Sequence, residues 1–264
     1  MTVPVDIECK CGICGQTSKQ VEIASTSVFG PPDLDTRPAP LMRNSIDAWI
    51  QACPFCGYCS PDISEFTHET TSIVRSKAYQ QQRKSHEYPD LANQFLCWSV
   101  IQEKPLELVS VLGEIPHAGG ARSETVEERS KRFISAGQAS LHAAWVCDDA
   151  GNDVAARKCR IRAVGLFNLG TVGGRPLFKQ KPDQFVFLAD LMRRAGRFGT
   201  ALALVRSGLS QIQQAAGNTD RSGSEETKYD ERFITKLLEF EKALIRKRDT
   251  LCYTIVDALG KNHR

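Results

Sequence analysis

Along the first 60 residues the apolar positions are short and interrupted. Val21-Glu-Ile alternates as a strand does, Phe29-Gly-Pro-Pro-Asp-Leu-Asp is turn chemistry, and only Ile46-Asp-Ala-Trp-Ile-Gln spaces its apolar residues as a helix would. From about residue 70 the period lengthens. Residues 67–85 are polar and compatible with a helix, and apolar residues at 91, 95, 98 and 101 mark one helical face. Two more helices are predicted over 127–147 and 154–169, then a pair over 183–195 and 200–212 around the tight Gly196-Arg-Phe-Gly199 turn. Breaks are predicted over 113–124 and at Gly173-Gly-Arg-Pro, and a polar linker over 216–224. The final helix is predicted over 225–259, about 50 Å long if unbroken. The expected architecture is mainly α: a small N-terminal β module over 1–66, followed by a helical domain over 67–264.

Composition refines this picture without changing it. A chain of 264 residues, 41% hydrophobic and 25% charged, can bury a sizeable core and is not of the disordered class. The start Met1-Thr-Val-Pro-Val-Asp has no basic segment before an apolar run, and no stretch approaches the roughly 20 apolar residues that span a bilayer, so a cytoplasmic protein without a membrane partner is expected. The formal charge of +3 is uneven: residues 1–60 carry a net −2 and the remainder +5. Many zinc ribbons bind nucleic acid, but phosphate contact calls for Lys and Arg near the ribbon, and this one offers few.

Of the ten cysteines, six fall within residues 9–59. Cys11-Gly-Ile-Cys14-Gly and Cys53-Pro-Phe-Cys56-Gly are two metal knuckles, in which the chain turns back between the sulfurs and the following Gly supplies a permissive φ. Four thiolates from Cys11, Cys14, Cys53 and Cys56 suit one structural zinc ion and leave no position for water or substrate. The 38 residues from 15 to 52 exceed the usual ribbon spacing of about 15–20. Loop closure grows only logarithmically, about 0.6 kcal/mol per doubling, against ~10–16 kcal/mol from structural zinc. Spacing leaves iron open, because a rubredoxin-type electron carrier uses the same knuckle; a [4Fe–4S] cluster on Cys53, Cys56 and Cys59 lacks a fourth Cys at 63, which is Ile. Cys9 and Cys59 are expected to be spare thiols beside the site, and Cys97, Cys147, Cys159 and Cys252 small buried hydrophobes within helices. His68, His86, His117, His142 and His263 form no HExxH or i, i+4 pair, and the chain has no GxSxG elbow, P-loop or dinucleotide fingerprint, which argues against an enzyme.

The pair over 183–212 resembles a tetratricopeptide repeat, with Phe185, Leu188, Ala189, Gly196, Phe198 and Ala201 at the positions of that motif. The pair before it repeats the scheme 45 residues earlier with Ala143, Ala144, Gly151, Ala156 and Ala163. In order, the first knuckle, Asp33-Leu-Asp-Thr-Arg37-Pro, the second knuckle with Tyr58, and helices carrying Ala143-Ala-Trp145 resemble a bacterial family catalogued as domain of unknown function 2225. That resemblance implies a zinc-ribbon-like module on a tetratricopeptide-like body and supplies no reaction or substrate. The expected function is a zinc-binding, non-enzymatic adaptor whose helical repeats recognise another protein or an acidic peptide; iron electron transfer and nucleic-acid binding by the basic helical half are the alternatives. Arg157, Lys158, Arg160, Arg162, Arg193, Arg194 and Arg197 are the candidate basic surface, and Asp33, Asp35 and Arg37 are expected to pair locally in the inter-knuckle loop.

Overall fold

In the computed structural model, residues 2–104, 124–172, 176–178, 182–218 and 225–260 are described. The predicted break over 113–124, apart from Glu124, and the Gly173–Gly174 loop lie outside them. The chain is mainly helical with a small N-terminal β module, as the apolar pattern predicts. It divides into two compact units, Met1–Ser27 with Leu41–Arg175 and Val28–Pro40 with Pro176–Arg264. This partition crosses the 66/67 boundary read from composition: the helices up to 175 cluster with the knuckles, while 28–40 leave them for the C-terminal helices.

In the first unit, β1 (Val3–Lys10) and β2 (Thr17–Ser25) form an antiparallel hairpin whose turn is the first knuckle. β3 (Gln51–Ala52) and β4 (Cys59–Ser60) form a second, minimal hairpin around the second knuckle. Most residues of β1 and β2 are exposed, and a two-stranded ribbon with so little apolar burial is marginal by itself in water. Its stability has to come from the knuckles. Helix α1 (His68–Arg75) begins with a capping box between Thr67 and Thr70, and α2 (Lys77–Arg83) follows with Ser76 accepting from Tyr79 N–H. Helices α3 (Asp90–Glu103), α4 (Val126–Asp149) and α5 (Asp153–Thr171) supply the core. Small residues let these helices approach closely: Ala136, Ala139, Ala143, Ala144, Ala155, Ala156 and Ala163 are all buried, and a Cβ added to Gly137 would come within 2.7 Å of the Phe167 ring. Ser99 on α3 bonds both Ser140 and the Ala136 carbonyl at 3.0 Å, which satisfies the buried hydroxyls at that crossing.

The second unit packs α6 (Asp183–Arg194), α7 (Phe198–Asn218), α8 (Glu225–Arg246) and the short α9 (Ile255–Ala258) with the segment Val28–Pro40. The turns of the two units show why the chain reverses where it does. After α4, Gly151 at φ 68° lets Asn152 N–H reach the Cys147 carbonyl at 2.8 Å and Gly151 N–H the Asp148 carbonyl at 3.0 Å. After α6, Gly196 at φ 73° repeats this arrangement, with Arg197 N–H on Met192 and Gly196 N–H on Arg193, both at 2.8 Å. Both are Schellman caps, set 45 positions apart. The same bond pattern ends α8 with Arg248 in the left-handed region at φ 56°, Asp249 N–H reaching Leu244 and Arg248 N–H reaching Ile245, each at 3.0 Å. The single long helix predicted over 225–259 is therefore broken: α8 stops at Arg246 and a loop leads to α9. α7 runs to Asn218, into the first residues of the predicted linker. Among the described residues no helix is long and apolar enough to cross a membrane.

Candidate metal centre

The two knuckles are built alike, 42 positions apart. Cys11 N–H donates to Gln16 O at 2.9 Å and Gly15 N–H to Cys11 O at 2.8 Å; Cys53 N–H donates to Tyr58 O and Gly57 N–H to Cys53 O, both at 2.8 Å. Gly15 and Gly57 sit at φ 72° and 74°, where an L side chain is strained. The structure brings the sulfurs of Cys11, Cys14, Cys53 and Cys56 within 4.8 Å of one another. Cys11 Sγ lies 3.7 Å from Cys56 Sγ, and Cys14 Sγ 3.6 Å from Cys53 Sγ. A tetrahedral ion with metal–sulfur bonds of about 2.3 Å has a sulfur–sulfur edge of about 3.8 Å, which these two edges match, so the donor set suits such an ion. All four corners are protein sulfur, and no position is left for a reacting molecule.

Several residues fix this cage, and sequence spacing gave no sign of them. Tyr79, fully buried on α2, donates to Gly57 O at 2.7 Å and accepts from Cys59 N–H at 3.1 Å, clamping the second knuckle from above. The Gln20 amide joins the two hairpins, donating to Ala52 O at 3.2 Å and accepting from Ala52 N–H at 3.4 Å. Gly12 N–H donates to Ile63 O at 2.8 Å, and a Cβ at Gly12 would lie 2.3 Å from the Phe66 ring and 2.7 Å from Ser64 O. Burial pushes the Cys11 and Cys56 thiols up. At Cys53 burial acts in the same direction but is outweighed by the backbone N–H groups of Cys56 and Phe55, with help from neighbouring thiols, and the pKa is lowered to about 7.

The remaining cysteines stand apart from the cage. Cys9 lies 4.0 Å from Asp62 Oδ1, and Cys59 turns away toward Gly57 O at 3.5 Å and hydrogen-bonds Cys97, which raises the Cys59 pKa further together with its burial. Cys97, Cys147 and Cys159 are buried in helices as expected. Cys252 is not: it is exposed, because the chain leaves α8 at Arg246 and Cys252 falls in the following loop. His142 packs edge-on against Trp49 and Phe95, each with ring centres 5.2 Å away, and burial lowers its pKa to about 4, so it is a neutral core residue.

Of the candidate basic residues, Arg157, Lys158 and Arg197 are exposed and Arg162 is half-buried, whereas Arg160 is 2% and Arg193 0% exposed and Arg194 is buried. Arg160 forms a two-pronged pair with Asp148 across the α4–α5 turn. Arg193 donates from Nε to Glu241 at 2.9 Å, from Nη2 to Asp190 at 2.5 Å, and from Nη1 to the carbonyls of Asp249 and Leu251 at 2.9 Å each. Arg194 pairs at 2.5 Å with Asp35, which is fully buried. Asp35 therefore has a partner 159 positions along the chain in addition to a local bond, accepted from Arg37 N–H at 3.1 Å. Apart from Asp190, which lies on α6 with Arg193, these partners lie on other elements, which a helix-by-helix reading could not see.

Compared with known proteins, the chain matches no family model, no curated protein and no solved structure. The functional reading rests on the four-cysteine cluster and the helical architecture.

Proposed function

We propose that the protein is a non-enzymatic adaptor: zinc in the Cys11, Cys14, Cys53 and Cys56 cage folds the two hairpins, and the helical hairpins, read as tetratricopeptide-like repeats, present a surface to another protein. The observation that carries this reading is the cluster of four cysteine sulfurs within 4.8 Å of one another, a donor set that suits an ion that holds structure and, with all four ligands from protein, offers no substrate position. The repeated Schellman turn at 151 and 196 supports the repeat reading, since it sets the same reversal at the same interval as the Ala and Gly matches. The order of these features keeps the resemblance to the domain-of-unknown-function family part of the proposal. Internal pairing of Arg160, Arg193 and Arg194 removes charge that phosphate binding would need, which favours a protein partner over nucleic acid. The test is retention of a defined partner by the intact chain after nuclease treatment and at raised salt. Retention through both is expected; loss on nuclease treatment, or a steep fall with salt, would assign the helical half to nucleic acid.

A further inference from the structure

Residues 28–40 lie between the two knuckles in sequence, yet they belong to the C-terminal unit. There they are held as a bound peptide would be. Leu34 N–H donates to Tyr253 O at 2.9 Å, Ile255 N–H donates to Pro32 O at 3.1 Å, and Asp33 faces Thr254 as an isolated antiparallel bridge. Leu34 is 4% exposed, the Asp35 carboxylate meets Arg194 at 2.5 Å, and Asp33 accepts from Cys252 Sγ at 3.2 Å. Main-chain pairing, an apolar anchor and a carboxylate on a buried arginine are the parts from which peptide sites are made. The segment docks as a closed turn, in which Thr36 N–H donates to Asp33 O and Asp33 N–H to Arg37 O, both at 2.9 Å, with Thr36 at φ 69°. The metal cage requires none of this length.

We propose that residues 251–255 together with Arg194 form a peptide-binding site for a turn-forming segment carrying a leucine between two aspartates. Residues 32–37 fill it in cis, and the same motif on a partner protein fills it in trans. This deepens the adaptor reading and rests on it. A tethered segment has an effective concentration of about 1 mM, so a free peptide with a Kd of about 10 µM would bind the native chain about 100-fold more weakly than a chain whose own segment is released.

The test uses the full-length zinc-loaded chain and a fluorescent peptide of residues 28–40. Asp35→Ala is expected to bind the peptide about 100-fold more tightly than the native chain does, by the same competition. Arg194→Ala added to Asp35→Ala is expected to lose binding, as is a peptide carrying the Asp35→Ala change. The Cys252 thiol reports occupancy separately: it donates to Asp33 of the docked segment at 3.2 Å, so its labelling should quicken in Asp35→Ala and slow again when peptide is added. A second form carries protease sites on both sides of the segment; after cutting, the freed segment should exchange with labelled peptide. Peptide binding by neither form, a cut segment that never exchanges, or unfolding of the C-terminal helices on cutting would overturn the proposal and make 28–40 a fixed part of the fold. A segment-exchanged dimer seen by light scattering would overturn it in favour of a second copy. Peptide binding without any protein partner in cells would sink the adaptor reading and leave the site standing.

Discussion

The paired knuckles and the Arg193 cluster both bury charge, and they compensate it differently. In the knuckles four cysteine sulfurs converge on one point, and a bound metal ion would offset thiolate charge and add the bonds that tie the two turns together. In the cluster Arg193 is surrounded by Asp190 at 1% exposure and Glu241 at 0%, so the balance is internal and no ion is needed. On the proposed reading the first region is stable only while loaded, because its strands bury too little to persist alone. In the second, the pairs return little net stability, since their attraction is spent on desolvation, but removing one partner strands a buried charge. One region therefore depends on something the protein must acquire, and the other on every member staying in place.

The largest effect that separates them is expected from Cys53→Ser. It removes one corner of the cage, and with it most of the ~10–16 kcal/mol that structural zinc supplies, so the ion should be lost and residues 2–27 and 41–60 should lose amide protection in hydrogen exchange. Helices α6 to α8 should keep theirs. Collapse of both regions together would dissolve the contrast.

Next in size is Arg193→Met, which leaves two carboxylates facing each other without their cation and should cost about 3–5 kcal/mol in the C-terminal unit. Denaturant titration followed by exchange at α6 and α8 would measure it, with zinc content unchanged. A loss below about 1 kcal/mol would place the cluster among ordinary surface pairs.

These two sites also differ in how plainly the sequence announced them. The cage was legible because each knuckle is closed within five residues and its Gly is demanded by a positive φ. The helical hairpins were legible for the same local reason, through Gly151 and Gly196. The Arg193 cluster was not, because its partners lie 3, 48, 56 and 58 positions away and an arginine on a periodic helix reads as a solvated face. Asp35 escaped in the same way, its partner Arg194 being 159 positions along the chain. The end of α8 was missed because the residue in the left-handed region is Arg248, which lacks the glycine that usually marks such a cap.

A smaller effect comes from pH. Burial raises the Glu241 pKa well above the usual carboxylate range, Asp190 adds to the rise, and Arg193 opposes it. A folded-state pKa above the unfolded value of about 4.3 gives stability that is present below that value and is lost as pH climbs toward the folded pKa. Glu241→Gln mimics the protonated acid, so its stability relative to the native chain should increase from pH 5 to pH 8 and vanish near pH 4. A constant difference across that range would mean that Glu241 is ionised in the folded chain. The knuckles respond in the opposite direction, since acid protonates thiolates and releases the ion.

The most direct measurement of the central claim is metal analysis of the purified chain combined with X-ray absorption at the metal edge. The account predicts one zinc per chain, four sulfur neighbours at about 2.3 Å, and no visible absorption band. A red protein holding iron, with bands bleached by dithionite, or a zinc site with an oxygen or nitrogen in place of one sulfur, would contradict it.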